Sequence, residues 1–565
     1  MRYWLSLAFC RDHFNTDSWS SVSLDQFSQA INCTRRNTQL LIKRLVADER
    51  IEWKAGVGRG NLPSAKLKRE LDDLLRDQAR QLFIEGKIDS ALALIKAQER
   101  ENFLSQSLSH YQPKQNTRDI VQIPFYRGTH CLDPVQINRR TEAHIASYLY
   151  ARLINIDPDT HTLQGDLAHS WLQHSNQLTV TLRKGLKFHD GSPILAEDIK
   201  AHFQRLLTMG KSNRALFQYI DDVIINSPLS LSFVSHSAKA LLPKLLAHGA
   251  MGITKLKEGK LIGSGPFSLQ QQTNWRTLLI VSPHYHGYRP WIDGVEIWNV
   301  GDNAKTLELN CDVVHGRHLK DKQREAFSTK NNWEEGCSYA LFNPNRHRWM
   351  TKQKHRQWLQ SLTLNMGSPS GEECEIVARA SGMLSSPAPV TKPDLSKPLS
   401  ALNELESPTH PLEIITYQLG THIAIAQLIA SSLKTLGVPC HLRVFEFPDF
   451  NKPETLEQAD IIISGEVFSD EYDMSWIDWL KCNYSLDCCL SPSNKHWLEE
   501  RLRAAIAETE ISKQLKIFDR IEKQLINKGL YQPLFHTQQD LNFSEKISAP
   551  DQLANGWIDF NQITM

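Results

Sequence analysis

What the sequence lacks narrows it first. No apolar run approaches the roughly twenty residues that a membrane-crossing helix needs, so no membrane partner is expected. Ten cysteines are present, but none form a C-x-x-C pair. Cys/His pairs at metal-ligand spacing are missing as well, so neither a metal site nor a cofactor is expected. A secreted disulfide framework would suit a much shorter chain. Scattered cysteines with apolar neighbours fit a reducing compartment, where they act as small core residues. G-x-S-x-G, H-E-x-x-H and P-loop motifs are absent and the 22 histidines are scattered, which argues against an enzyme. An overall excess of one charge is also missing, since the formal net charge is only +1.

What is there is length and uneven charge. With 565 residues, 41% of them apolar and 22% charged, the chain reads as globular with several domains. Residues 1–69 hold 12 Lys+Arg against 6 Asp+Glu, a local +6 that leaves −5 for the remainder. A basic head on a mildly acidic body points to nucleic acid at the head. The start, "MRYWLSLAFCRDHF", has a short apolar run ending at Cys10. Phe9 is too large for a lipoprotein cleavage site, so the run reads as the buried face of a first helix. Without an export signal, a cytoplasmic chain is expected.

The head carries a motif. Ser23 can cap a helix with Leu24, Phe27 and Ile31 inward, and "INC" can turn the chain. Thr34 can cap a second helix by accepting a free backbone N–H. There Leu41, Ile42, Leu45 and Val46 form an apolar stripe, while Arg36, Gln39 and Lys43 fall on another face beside Arg35 and Asn37. This is a helix-turn-helix pattern. Arg can pair with guanine and Asn or Gln with adenine, so Thr34, Arg35, Arg36, Asn37, Gln39 and Lys43 are candidate DNA contacts. "IEWKA" reads as a strand, "GVGRGN" as a turn and "SAKLKR" as the returning strand. That makes a wing with Lys54 at its base and Arg59 at its tip, placed to touch phosphate or the minor groove. A nucleotide loop is excluded, because Pro63 and a strand-like segment follow the glycines where a helix would be needed.

Residues 70–117 read as a packed helical connector. Leu71, Leu74, Leu75, Leu82 and Phe83 share a stripe, Gly86 stops the helix, and Asp89 is the candidate cap of the next. From about Asp119 the pattern becomes α/β. "DIVQIPFYRG" and "LTVTLRKGLKF" read as strands, "HDGS" as a turn and Ala196 to Leu207 as a helix.

The order "DLAHSW…LTVTLRKGLKFHDGSPILAEDIKAHF", then "IGSGPFSL", "SPHYHGYRPWIDGVEIW", "YALFNPN" and "PLEIITYQLGTHIAIAQLIASSLKTLGVPCHLRVFEF", resembles family 5 of the bacterial extracellular solute-binding proteins. Cys33-Thr34-Arg35-Arg36, Val57-Gly58-Arg59-Gly60 and the closing "NGWIDF" make the whole similar to SgrR-type regulators, which place a winged helix ahead of such a body. The wing continues "NLPSAK", less basic than that group's pattern. The expected fold is a multidomain chain: a winged-helix domain (1–69), the connector (70–117) and a two-lobed α/β periplasmic-binding-protein-like domain (118–565). Its lobes are expected at about 118–300 plus 525–565, and 301–524.

The resemblance implies a regulator with two partners, double-stranded promoter DNA and a small-molecule effector such as a sugar phosphate or related metabolite. A second copy of the chain is a further candidate partner. The rival is an importer's substrate-binding protein for peptides or similar solutes. The resemblance also places a ligand cleft near "SGEVFSDEYDMSWIDWLKC". There Asp470, Glu471 and Asp473 are candidate carboxylates for a ligand amine, and Tyr472 and Trp476 candidate flanking aromatics; a surface acidic loop competes with this. A phosphate would want a cation, and Arg127 beside Tyr126 is placed for it, unless it is an ordinary surface arginine.

Overall fold

The computed structural model describes the chain apart from residues 57–60, 109–117, 126–127, 138, 158–159, 161, 210–213, 300–310, 316–326, 372–373, 470, 549–552 and 554–555. The head begins with helix α1 (Arg2–His13), whose Leu7, Ala8, Phe9 and Cys10 are buried. Strand β1 (Ser20–Ser21) and helices α2 (Leu24–Ala30) and α3 (Arg35–Ala47) follow. The Ser23 hydroxyl accepts the Asp25 N–H at 3.2 Å, and the Thr34 hydroxyl accepts the Asn37 N–H at 3.4 Å. Both caps therefore form where the sequence placed them. Asn32 turns the chain between the helices with φ 47°, a left-handed conformation that Asn tolerates. Ile42 and Leu45 are buried, Leu41 is half-buried, but Val46 faces solvent. Thr38, one turn before Ile42, is buried instead.

Strands β2 (Ile51–Lys54) and β3 (Ser64–Leu67) form the wing hairpin, and β1 adds a third strand in the order β1-β3-β2. Helices α4 (Asp72–Ile84), α5 (Ile88–Leu92) and α6 (Arg100–Leu108) complete the region. Gly86 adopts φ +78° just past α4, a stop that residues with a side chain rarely make. Asp89 does not cap α5. Lys87 holds the cap position, and Asp89 accepts a hydrogen bond from the Gln271 amide at 3.1 Å.

The expected division between head and connector is not a division of cores. Leu75, Phe83 and Leu104 share one buried cluster with Phe27, Ile42 and Leu45, and Trp298, Cys311 and Val314 of the body join it. The Phe83 and Trp298 rings lie 6.4 Å apart, and Trp298 is fully buried. The head is thus seated on the body through an aromatic contact.

In the first lobe, strand Ile120–Phe125 pairs in parallel with Gly294–Asn299, beside Arg276–Val281 and Phe267–Gln272. A second sheet contains Ala168–His174, Gln177–Leu182, Ser230–Val234 and Asp222–Ser227, covered by helix Ala196–Met209. Gly191 turns at φ +80°. His189 is satisfied by the Gly265 carbonyl at 3.0 Å, an ordinary loop histidine.

The second lobe is built on a sheet running through Gly336–Phe342, Ile461–Val467, Leu412–Tyr417 and Cys440–Phe445. Leu412–Tyr417, helix Gly420–Thr435 and Cys440–Phe445 form the expected strand–helix–strand unit, with its strands parallel. Strand pairing draws the lobes differently from the expected boundaries. The long strand Tyr531–Ser544 pairs at its start with Gly336–Phe342 and at its end with Phe327–Trp333 and Val313–His315. The crossover between the sides therefore lies within this strand rather than at residue 525, which belongs to helix Ile511–Asn527. Val313 packs in the first lobe's core and Val314 in the head's. The described residues 311–315 accordingly sit on the head and first-lobe side.

Candidate nucleic-acid interface and interlobe cleft

Capping and packing decide which face of α3 is free. Thr38, Ile42 and Leu45 are turned inward, so Arg36, Gln39 and Lys43 point outward, all exposed. Among the described residues these three side chains have no hydrogen-bond or ion-pair partner. Arg35 contacts Asp25 at 2.7 Å, with both side chains more than half exposed. Such a pair contributes at most about 1 kcal/mol and exchanges readily for another anion. Thr34 and Asn37 are exposed at the helix start, where unpaired N–H groups and the helix dipole favour negative charge. Lys54 is exposed on the wing, its ammonium 3.8 Å above the Trp19 ring, with Lys66 at 5.5 Å. This arrangement holds two cations at one aromatic ring. Arg59 lies outside the described residues.

The cleft residues expected from sequence meet different fates. Tyr126, Arg127 and Asp470 lie outside the described residues. The others sit at or beside helix Tyr472–Cys482. Asp473 is buried and bonded to the Lys244 ammonium of the first lobe. Trp476 is 3% exposed, stacked on Phe518 at 5.9 Å and set edge-on to Phe468, so its indole is committed to the core. Tyr472 is half-buried against the same core. Glu471 is half-buried, and burial raises its pKa against the opposing pull of Arg152.

Deeper in the same region, burial and the neighbouring Asp478 charge push Glu466 up to about 8. Glu466, half-buried at the end of its strand, therefore favours its protonated form near neutrality, as a partly desolvated carboxyl beside a like charge does. His422 is driven the other way by burial, down to about 3, and its Nε2 meets the Ser338 hydroxyl at 3.0 Å. From the first lobe, Arg140 reaches Glu334 at 2.5 Å. Arg139 forms a buried pair with Glu142 at 3.0 Å and lies 5.7 Å from the Phe447 ring centre.

Sequence reasoning passed over Trp19, Arg139, Arg140, Lys244 and Glu466. An Arg-Arg doublet before a helix was a readable signal for two of them. Lys244 had none, because its partner lies 229 residues away. No group of His, Cys, Asp and Glu suited to a metal occurs among the described residues. Nor is any described helix long and apolar enough to cross a membrane.

This geometry defines a class: a winged-helix head seated on a two-lobed body of the solute-binding type. Residues 9–118 match the family "Sugar transport-related sRNA regulator N-term", and residues 162–360 match "Bacterial extracellular solute-binding proteins, family 5 Middle". That pairing is the one found in SgrR-type regulators, and the chain is of that type. The HTH-type transcriptional regulator SgrR of Photorhabdus laumondii is 24% identical over 556 residues, covering 96% of this chain and 94% of the relative. SgrR of Escherichia coli K12 is 26% identical over 348 residues, 60% of each chain. Among solved structures, the murein tripeptide binding protein MppA of Escherichia coli superposes with a TM-score of 0.65 at 16% identity, over 79% of this chain and 98% of its own. A dipeptide binding protein from Pseudoalteromonas in complex with Met-Leu gives 0.64 at 17%, over 78% and 99%. These likenesses confirm the body's fold.

Proposed function

We propose that this chain is a cytoplasmic DNA-binding transcriptional regulator whose two-lobed body senses a small molecule. One observation carries the reading: Arg36, Gln39 and Lys43 line the outward face of a capped helix without partners among the described residues. The relatives named as HTH-type regulators support it, and one of them covers almost the whole chain. In this reading Arg36, Asn37 and Gln39 contact base edges, while Thr34, Arg35, Lys43, Lys54 and Arg59 contact phosphates. The head is residues 1–69 with 70–117 completing its core, and the sensor is 118–565. The effector binds between the lobes, near Tyr126, Arg127, Asp470, Glu471 and Tyr472. Sugar phosphates and short peptides are the two classes to try, and the regulator works alone or as a homodimer. An importer receptor is the weaker reading, because the relatives spanning both regions include named regulators.

The test is fluorescence anisotropy of the full chain with promoter fragments across a salt series. Binding should weaken steeply as salt rises. Arg36→Ala should relax sequence preference, whereas Lys54→Ala should weaken all sequences alike. Absence of binding to any duplex at low salt would remove the head assignment. A thermal-shift screen with the two effector classes tests the sensor, and stabilisation by neither would leave it without support.

A further inference from the structure

The facing surfaces of the two lobes touch directly, through charges of one polarity. The first lobe supplies the basic groups: Lys244 to buried Asp473, Arg140 to Glu334, and the His248 imidazole, whose Nε2 lies 3.9 Å from Asp478 while its Nδ1 accepts the Ala250 N–H. Asp473 and Asp478 stand on the second lobe's helix Tyr472–Cys482, and Glu334 stands at the crossover between the lobes, where it also accepts from the Gln539 amide. Tyr219 extends the contact, donating to Glu499 at 3.5 Å and lying 5.4 Å from the Lys481 ammonium. Around the charges the apolar surfaces are continuous. Leu216 and Phe217 of the first lobe share one buried cluster with Trp476, Ile477 and Leu480 of the second.

We infer that these pairs, with Lys244–Asp473 at their centre, form a latch that holds the lobes closed before any effector binds. This rests on reading the body as a sensor and adds its resting state. The physical basis is the difference in solvation between the two states. Closed, the Asp473 carboxylate is buried and relies on Lys244; open, water can solvate it. Removing Lys244 strands a buried charge only in the closed state, so the equilibrium shifts toward open. An effector with a cationic group, such as the amine of a short peptide, then acts on a closed sensor by competing with Lys244 and Arg140 for their acids, whereas an anionic effector would compete with the acids for those cations. Either effector's affinity is lowered by the fraction of chains that must first open.

The experiment uses the full chain without DNA or effector, so its outcome is independent of whether the head binds DNA. Small-angle scattering gives the radius of gyration, and hydrogen exchange follows residues 214–250 and 472–499. Lys244→Met should enlarge the radius and speed exchange in those two segments, while α2 and α3 keep wild-type rates. The reversed pair Lys244→Asp with Asp473→Lys should return both readings toward wild type. Glu334→Gln, which leaves Asp473 intact, should open the lobes to a smaller extent and serves as the second variant if Lys244→Met unfolds. Unchanged radius and exchange in Lys244→Met and Glu334→Gln, or a reversed pair no more closed than Lys244→Asp alone, overturns the latch.

Discussion

Two helices carry the candidate site residues, α3 in the head and Tyr472–Cys482 in the body, and the fold treats them in opposite ways. On α3 the candidate polar residues face outward and remain available. On Tyr472–Cys482 the candidate residues turn inward: Asp473 is held by Lys244, and Trp476 packs on Phe518. The difference lies in what sets the exposed face. In α3 a local cap and a helical period settle it within a few residues. In Tyr472–Cys482 the face is settled by tertiary contacts: Lys244 of the other lobe, 229 positions away, holds Asp473, and Phe468 and Phe518 of the same lobe enclose Trp476.

The largest expected effect would break this contrast. Trp476→Ala should destabilise the body by about 3–5 kcal/mol, the usual cost of emptying a buried aromatic site. DNA affinity of the folded fraction should stay unchanged. Chemical denaturation followed by tryptophan emission measures it, and wild-type stability would place the indole on the cleft wall after all. Next, Arg36→Ala should cost about 1–3 kcal/mol of specific binding free energy by anisotropy, with no change in unfolding. Loss of stability there would mean α3 is not the exposed helix described.

A pH series sharpens the comparison at intermediate size. Glu466 titrates in the fold near 8, above its ordinary value, so the folded chain holds a proton that the unfolded chain releases. Its stabilising contribution is present below the ordinary carboxylate range and is lost as pH rises toward 8. Wild-type unfolding temperature should therefore fall between pH 6 and 8, and Glu466→Gln should flatten that fall. Equal slopes in the two proteins would contradict the raised titration of this half-buried carboxyl. The smallest effect belongs to the cap: Thr34→Ala should lower head stability by about 1 kcal/mol, read by hydrogen exchange in α3.

Legibility followed the same divide. Ser23 and Thr34 were readable because their partners, the N–H groups of Asp25 and Asn37, are two and three residues away. The strand–helix–strand unit from Leu412 to Phe445 was readable because its periods are local. Strand β1 was not, since two serines acquire a strand only by pairing with Ala65 and Ser64. Asp89 looked like a cap but bonds Gln271, and Val46 fitted the stripe yet faces solvent. The lobe border near 525 was misplaced because one strand, Tyr531–Ser544, pairs with both sides. Residues that join distant segments, such as Trp298 under the head and Lys244 across the cleft, leave no short-range pattern to read.

The central claim is that the chain reads DNA through α3. It is tested most directly by anisotropy of the full chain and of Arg36→Ala on one specific and one scrambled duplex, at two salt concentrations. The account predicts wild-type preference for the specific duplex, tighter binding to both at low salt, and loss of the preference alone in Arg36→Ala. Equal, salt-insensitive binding of both duplexes by both proteins, or no binding at all, would contradict it.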